Sequence, residues 1–228
     1  MILLGSIVNA LTIFAGGLIG SKAGKMIPER HSKLVMTVLQ ISILVLGVKF
    51  ASASNDFLLL VVSLVLGALI GETVDVDQAM TNFGNKMQQR LKSSNNNFTA
   101  AFLSATLLYC VGSMAILASI ESGMQNDHSV HFTKALIDGI AAIFLASSMG
   151  IGIAFSGISV LLYQGLLTLL SSSVAPYATP ELMTEMSAVG GIVLIALALT
   201  MLEIKPIKIA NLIPALFMPI LLMMTPWF

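Results

Sequence analysis

The stretch GSIVNALTIFAGGLIGSKAG, residues 5–24, decides the class of this protein. It is apolar almost throughout, over the roughly 20 residues that an α-helix needs to cross a bilayer. Because lipid offers no hydrogen-bond partner to a backbone, such an uninterrupted run favours a helix over the short alternating segments of a β-barrel. Its basic residues follow the apolar run instead of preceding it, which argues against a secretory signal peptide.

The rest of the chain repeats this character. Of its 228 residues, 57% are hydrophobic and 10% are charged, with a mean hydropathy of +0.95. So few polar groups exclude a water-soluble globule. We therefore expect an all-α, polytopic transmembrane helix bundle that forms a single integral membrane domain over residues 1–228. The expected spans, about eight, are 3–22, 34–53, 57–74, 99–120, 135–154, 157–175, 184–202 and 208–226.

Two features of this assignment depend on particular residues. Residues 135–175 form one continuous apolar stretch, which we divide into two helices at Ser156 and Gly157. With the N-terminus outside, nine lysine and arginine residues lie in inner loops, and only Lys49 and Lys134 lie outside. Basic residues favour cytoplasmic loops, so both termini are expected outside the cytoplasm.

The segment between the third and fourth spans has a pattern of its own. Apolar residues recur there at steps of three and four, which predicts an amphipathic cytoplasmic helix over about residues 76–92. The stripe consists of Val76, Met80, Phe83, Met87 and Leu91. Such a helix either lies on the inner membrane surface or is a connector packed on the bundle.

An internal repeat is suggested by a shift of 147 residues, which aligns Met36-Thr37 with Met183-Thr184 and residues 67–69 with 214–216. Spans one to three then correspond to spans six to eight, with repeat halves at about 1–75 and 148–222. An offset of five spans makes the halves opposite in orientation, as in the inverted-topology repeats of many secondary transporters. Chance similarity between apolar sequences is the alternative.

Glycines recur at helical spacing in two spans. Gly16, Gly20 and Gly24 lie one turn apart in the first span, and Gly67 and Gly71 do so in the third. Because small residues let helix backbones approach closely in lipid, these glycines predict helix-packing seams. Their spacing leaves open whether a seam lies within one subunit or between two.

Polar residues inside the spans are the candidates for function. A buried amide without a partner costs a few kcal/mol, so these groups should face one another or a wet cavity, and interhelical hydrogen bonding alone is the alternative. Glu72 and Asp138 are candidate ion-responsive groups, although Glu72 is also consistent with a solvated position at the inner interface. The candidate solute-binding residues are Asn9, Gln40, Tyr109, Ser113, Gln164 and Asn211.

Enzyme and metal motifs are not found in the sequence. There is no Gly-x-Ser-x-Gly elbow, no His-Glu-x-x-His pair and no phosphate-binding Gly-x-x-x-x-Gly-Lys loop. His31, His128 and His131 fall in predicted surface loops and lack the spacing of zinc ligands. We therefore expect no enzymatic activity, no cofactor and no metal site.

Several segments occur in an order specific enough to suggest a family. They are GSIVNALTIFAGGLIG at 5–20, LVLGALIGE at 64–72, CVGSMAI at 110–116, DGIAAIFLASSMGIG at 138–152, LLYQGLLTLL at 161–170, SAVGG at 187–191 and IANLIPAL at 209–216. With these segments the chain resembles the bacterial membrane proteins of the YqgA and YdfK type, a family labelled as a domain of unknown function. The resemblance implies a bacterial inner (plasma) membrane and supplies no cargo. It places Asn9, Glu72, Ser113, Asp138, Gln164 and Asn211 in motif-like stretches.

Two functions are consistent with these patterns. The first is a secondary transporter or channel-like permease for a small polar or ionic solute, as the repeat and the buried polar groups indicate. The second is a non-transporting membrane scaffold or signalling protein that dimerises through its glycine seams. The expected partners are the lipid bilayer, an unidentified small solute or ion, and a second copy of the chain; no nucleic acid is expected.

Overall fold

The computed structural model describes residues 1–90, 98–111 and 113–224, and it is helical as predicted. Short 3₁₀ segments cover Ala175–Tyr177 and Ile209–Phe217. The α-helices are α1 (Leu4–Gly24), α2 (Glu29–Ala51), α3 (Phe57–Val74), α4 (Val76–Arg90), α5 (Phe98–Cys110), α6 (Ser113–Gln125), α7 (Ser129–Met149), α8 (Gly152–Leu169), α9 (Ser171–Val174), α10 (Pro180–Met201) and α11 (Met218–Leu222).

Six helices in the described residues are long and apolar enough to cross a membrane: α1, α2, α3, α7, α8 and α10. The bent pair α5 and α6 adds a seventh if it forms one span. The apolar segment Ile209–Leu222 is shorter than these helices, and much of it is 3₁₀ helix with Pro214 inside. The all-α membrane fold is thus confirmed, while the count of eight spans stays a prediction.

The ends of these helices follow from local chemistry. At the start of α3, the Asp56 carboxylate accepts a hydrogen bond from the Leu59 amide at 3.0 Å. At the start of α10, the Thr179 hydroxyl accepts one from the Leu182 amide at 3.2 Å, and Pro180 follows as the first helical residue. These side chains supply partners for amides that a helix N-terminus leaves unpaired.

The predicted division of residues 135–175 is wrong. The structure ends α7 at Met149 and begins α8 at Gly152, whereas Ser156 and Gly157 are buried inside α8. Gly150 lies between the helices with a φ of 90°, a conformation that glycine adopts without strain. The helix α7 also begins at Ser129, well before residue 135.

The predicted fourth span, 99–120, is not one continuous helix. It consists of α5 and α6, which are separated between Cys110 and Ser113. The backbone amide of Ser113, at the start of α6, donates to Ser187 Oγ at 3.0 Å. A side chain of α10 thus satisfies an amide that has no partner within α6.

The chain forms two compact units. The first unit comprises Met1–Leu39, Thr81–Cys110 and Met114–Pro176, and the second comprises Gln40–Met80, Val111–Ser113 and Tyr177–Phe228. In the first unit α1 packs on α7 and α8, and α5 packs on α8. In the second unit α3 packs on the 3₁₀ segment Ile209–Phe217 and on α10.

Glycines form the contact between α1 and α7 in the first unit. A Cβ atom at Gly16, Gly20 or Gly24 would collide with a backbone carbonyl oxygen of α7. The carbonyls belong to Gly139, Ile143 and Ser147, which are themselves spaced one turn apart. The predicted glycine stripe therefore packs inside this chain, backbone against backbone.

The second glycine pair has the same role in the second unit. A Cβ at Gly67 would overlap the Ala215 backbone, and one at Gly71 would overlap the carbonyl oxygen of Asn211. Both partners lie on the 3₁₀ segment Ile209–Phe217. Both seams are therefore occupied by helices of the same chain.

Helix α4 covers most of the predicted amphipathic segment, and residues 91 and 92 lie outside the described residues. In the first unit, the rings of Phe83 and Phe102 lie 5.8 Å apart, and Gly84 lies against the Thr99 side chain. Phe83 nevertheless remains 45% exposed. The helix has the contacts of a packed connector and keeps part of its apolar stripe uncovered.

Candidate functional site

Three polar side chains meet in the interior of the first unit. Asn9 on α1 donates from Nδ2 to Asp138 Oδ2 of α7 and to Gln164 Oε1 of α8, both at 3.1 Å. Asn9 and Gln164 are fully buried, and Asp138 is 6% exposed. Because α1 lies close to α7 and α8 at its small residues, one short amide bridges both helices.

The carboxylate of Asp138 has a buried cation as a second partner. Lys134, one turn earlier on α7, donates from Nζ to Asp138 Oδ2 at 2.7 Å, and both side chains are 8% exposed. Asp138 lies near the middle of α7, and not close to the end of a span that begins at residue 135, because the helix begins at Ser129. We call Asn9, Lys134, Asp138 and Gln164 the polar cluster.

The polar cluster leaves buried atoms without partners. Asn9 Oδ1, Gln164 Nε2 and the Tyr109 hydroxyl make no hydrogen bond with the described residues. Tyr109, on α5, is 2% exposed and interacts electrostatically with Asp138. One acceptor, one amide donor and one hydroxyl thus lie buried without a hydrogen bond to the described residues, whereas buried polar groups normally have partners.

A row of hydroxyl and imidazole groups adjoins the polar cluster, and the sequence analysis missed it. His131 is fully buried on α7, so its assignment to a surface loop was wrong. Its Nδ1 lies 2.8 Å from Ser122 Oγ, and its Nε2 lies 3.4 Å from Ser6 Oγ. The missed signal was the spacing of His131, Lys134 and Asp138, which places all three on one face of α7.

A second polar group lies in the second unit. Glu72 accepts hydrogen bonds from Lys208 Nζ and from Asn211 Nδ2, both at 2.6 Å, and Asn211 Oδ1 accepts from the Asp77 amide at 2.7 Å. The side chains of Glu72 and Lys208 are 59% and 56% exposed. Hydrogen bonding to the Glu72 carboxylate raises the pKa of Lys208 above its ordinary value.

These charges lie at one end of an open groove of about 530 Å³. The groove lies between α3 and the start of the 3₁₀ segment and is otherwise lined mainly by apolar residues. Within the described residues, no group of three or more histidine, cysteine, aspartate or glutamate side chains is placed to hold a metal ion.

The remaining candidate residues make ordinary helix contacts. Gln40 donates from Nε2 to the Met201 carbonyl oxygen at 2.7 Å in the second unit. Ser113 begins α6 and is bonded through its backbone. The structure thus brings Asn9, Asp138 and Gln164 into one cluster beside Tyr109, while the other four candidates belong to the second unit.

A buried carboxylate in the second unit was also not identified from the sequence. Glu185, on α10, is 4% exposed and accepts hydrogen bonds from Ser54 Oγ and the Asn55 amide, both at 2.7 Å. The Asp56 amide donates to the same side chain at 3.3 Å. Glu185 therefore ties the turn between α2 and α3 to α10.

Membrane-length helices that enclose an ion pair and two amides define an integral membrane protein with a buried polar site. Residues 4–224 match the family described as "Protein of unknown function (DUF554)", so the chain belongs to this family. It is 30% identical over 219 residues to the "Uncharacterized membrane protein YdfK" of Bacillus subtilis (strain 168), covering 94% of this chain and 93% of that one. It is 28% identical over 232 residues to the "Uncharacterized protein YqgA" of Escherichia coli (strain K12), covering 99% of each chain. No solved structure matches it.

Proposed function

We propose that this protein is a secondary transporter or channel-like permease that moves a small polar or ionic solute across a bacterial inner membrane. The observation that supports the proposal is the polar cluster, because it combines a buried ion pair with amide atoms that form no hydrogen bond to any described residue. Ionisable residues inside membrane helices are expensive and most often belong to solute or ion pathways. A purely structural cluster would be expected to satisfy its own polar atoms.

The roles of the residues follow from their chemistry. Asn9 Oδ1 accepts hydrogen bonds, Gln164 Nε2 donates them, and the Tyr109 hydroxyl does both. These three groups bind the solute in the proposal. The Lys134–Asp138 pair is the ion-responsive element, since a change in the charge of Asp138 leaves Lys134 buried without its counter-ion. Glu72 is exposed and is already hydrogen-bonded to Lys208 and Asn211, so we give Glu72 and Asn211 a secondary role.

The alternative of a scaffold that dimerises through glycine seams has lost its main support. Gly16, Gly20 and Gly24 are covered by α7, and Gly67 and Gly71 are covered by the 3₁₀ segment. A second copy of the chain would have to use another surface.

Water access to the polar cluster distinguishes a transporter from a dry scaffold without knowledge of the solute. In a Cys110→Ala background, Asn9→Cys and Gln164→Cys are each treated with a small, membrane-impermeant methanethiosulfonate reagent. The reagent is added to right-side-out and to inside-out vesicles. We expect both cysteines to react from at least one side, because the site of a transporter opens to water.

The matched control is Ile13→Cys, which replaces a fully buried residue one turn beyond Asn9 on the same helix. The site cysteines should react at least about tenfold faster than this control, which corresponds to a difference of about 1.4 kcal/mol in the activation free energy of the labelling reaction. If the site cysteines are as unreactive as the control from both sides, the proposed function is wrong.

A further inference from the structure

Polar side chains form a row from the N-terminal end of α7 to the interior of the first unit. His128, which precedes α7, is half-buried, and its Nδ1 lies 3.0 Å from Ser122 Oγ. Ser122 Oγ lies 2.8 Å from Nδ1 of His131. The row therefore begins at the half-buried His128 and reaches the fully buried Ser122 and His131 within two contacts.

The row continues from His131 to the polar cluster. His131 Nε2 lies 3.4 Å from Ser6 Oγ, and the Gln164 side chain also interacts with the imidazole. Gln164 is in turn bonded to Asn9, which donates to Asp138. Every contact in this series lies within the first unit.

The chemistry of these groups suits a proton better than a larger ion. A hydroxyl donates and accepts at once, and a neutral imidazole accepts at one nitrogen while it donates at the other. Ser122, His131, Ser6, Asn9 and Gln164 are all fully buried, so these groups are shielded from bulk solvent. Chains of histidine and carboxylate residues inside membranes characteristically carry protons.

We propose that the coupling ion is the proton, and that it reaches Asp138 from the α6–α7 loop through His128, Ser122 and His131. This inference rests on the proposed transport function, and it names the ion to which Asp138 responds. In the solute-free protein the path requires a water molecule between His131 and Asp138, for which the atoms that bind the solute in the proposed function, Asn9 Oδ1 and Gln164 Nε2, offer an acceptor and a donor.

Each group along the path accepts one proton and passes one on. The imidazolium of His128 gives its Nδ1 proton to Ser122 Oγ, and the hydroxyl proton of Ser122 passes to His131 Nδ1. His131 then releases the proton on its Nε2 toward the water, and the water gives one proton to the Asp138 carboxylate. One proton enters and one is bound, and the product is a neutral carboxylic acid beside the ammonium group of Lys134.

Charged groups lie at both ends of the path. The Ser129 amide donates to Asp127 Oδ1 at 2.9 Å and lowers the pKa of Asp127, so a negative charge stays beside His128 at the entrance. Protonation of Asp138 removes the counter-ion of Lys134, which favours a rearrangement that hydrates Lys134. Within the part of the chain that the structure describes, the titratable side chains of Tyr109 and Cys110 on α5 also interact with the polar cluster, and Tyr163 on α8 interacts with Cys110.

Time-resolved infrared spectroscopy after an acidic pH jump tests the path in the full-length protein. The protein is reconstituted in phosphatidylethanolamine and phosphatidylglycerol bilayers without any solute. A carboxylic-acid C=O band should appear after the jump and be missing in Asp138→Asn, which assigns the band to Asp138. In Ser122→Ala and in His131→Gln the band should reach the same final amplitude about tenfold more slowly, as a raised kinetic barrier requires.

The control is Ser119→Ala, one turn earlier on α6, which removes another fully buried hydroxyl, whose hydrogen bond within the described residues goes to the Ala115 carbonyl of the same helix. Its rate should equal that of the unmodified protein. Equal rates in Ser119→Ala, Ser122→Ala and His131→Gln would overturn the path, and a missing Asp138 band would overturn the proton as coupling ion. Neither result depends on the vesicle labelling of Asn9 and Gln164, so this inference and the proposed function can fail separately.

Discussion

Lys134 and Asp138 are held together by their spacing on one helix. Residues four positions apart lie on the same face of a helix, so the 2.7 Å contact needs no distant element to align it. Both side chains are buried away from solvent, and the charge of each is compensated by the other. The free energy of unfolding should therefore fall strongly when one partner is replaced and less when both are replaced.

Charge removal tests this dependence. We expect Lys134→Met and Asp138→Asn each to lower the free energy of unfolding by roughly 3–5 kcal/mol, because each leaves one buried charge uncompensated. The double variant Lys134→Met/Asp138→Asn should be more stable than either single variant. Thermal unfolding in detergent, followed by tryptophan fluorescence or circular dichroism, measures the effect.

The exposed pair of Glu72 and Lys208 provides the matched control. Lys208→Met removes an ion pair of similar length that water already screens, so the unfolding temperature should barely change. A double variant as unstable as the two single variants combined would contradict the interpretation of the buried pair.

At the level of helices, the seam between α1 and α7 determines where the site lies. Three successive turns of α1 present glycine to carbonyl oxygens of α7. This close approach lets the short side chain of Asn9 reach both Asp138 and Gln164. Packing and function are therefore linked through the same helix.

A methyl group added at the seam should separate these helices. We expect Gly20→Ala to lower the free energy of unfolding by about 1–3 kcal/mol, because its Cβ would overlap the Ile143 carbonyl and the helices would have to move apart. Chemical denaturation in mixed micelles gives the value.

Gly165→Ala is the control on α8. A Cβ there meets only the end of the Leu3 side chain at 3.9 Å, an ordinary contact. The change should be neutral or stabilising by up to about 1 kcal/mol, since alanine favours a helix over glycine. Equal destabilisation by both substitutions would show that the α1–α7 seam is not tight.

The sequence predicted the helices better than their ends. Glycines at a period of four indicated the seam correctly, because backbone approach depends on side-chain size alone. The division at Ser156 and Gly157 failed because hydropathy shows no minimum at Gly150, where the backbone conformation separates α7 from α8. The start of α7 was placed too late because hydropathy counts His131 and Lys134 as polar, whereas inside the bundle they have partners.

For the whole molecule, several contacts pair the elements that the predicted repeat relates. In the first unit α1 packs on α8, and in the second α3 packs on the segment Ile209–Phe217. Gly47 of α2 also lies against the backbone of Gly191 on α10. A two-fold repeat would bring corresponding elements together in this way. Their opposite orientation, and hence the inverted repeat, stays a prediction.

The location of the C-terminus tests the predicted topology. Eight spans with an outer N-terminus place the C-terminus outside, so a C-terminal alkaline phosphatase fusion should be active and a green fluorescent protein fusion should be dark. The same reporters fused after Arg90, in the predicted cytoplasmic connector, should give the opposite result. Fluorescence at both positions would contradict the eight-span topology and would show that either the α5–α6 pair or Ile209–Leu222 does not cross the membrane.

The candidate site was predictable as a set of residues but not as an arrangement. Asn9, Asp138 and Gln164 were identified because polar side chains in apolar helices need partners. Their mutual contacts join residues more than a hundred positions apart, and helical spacing carries no information about such pairs. Lys134 was missed although its spacing from Asp138 is visible in the sequence, whereas the serine hydroxyls around His131 are recognisable only once α1, α6 and α7 are packed.

The carboxylate of Glu185 has a mechanical consequence. Three hydrogen bonds fasten the turn at residues 54–56 to α10, so neither part can slide past the other without stranding a buried negative charge. If transport involves rocking of α10, the hairpin of α2 and α3 should move together with α10 as one rigid body. The backbone hinge for such a motion would then lie outside residues 54–56 and α10.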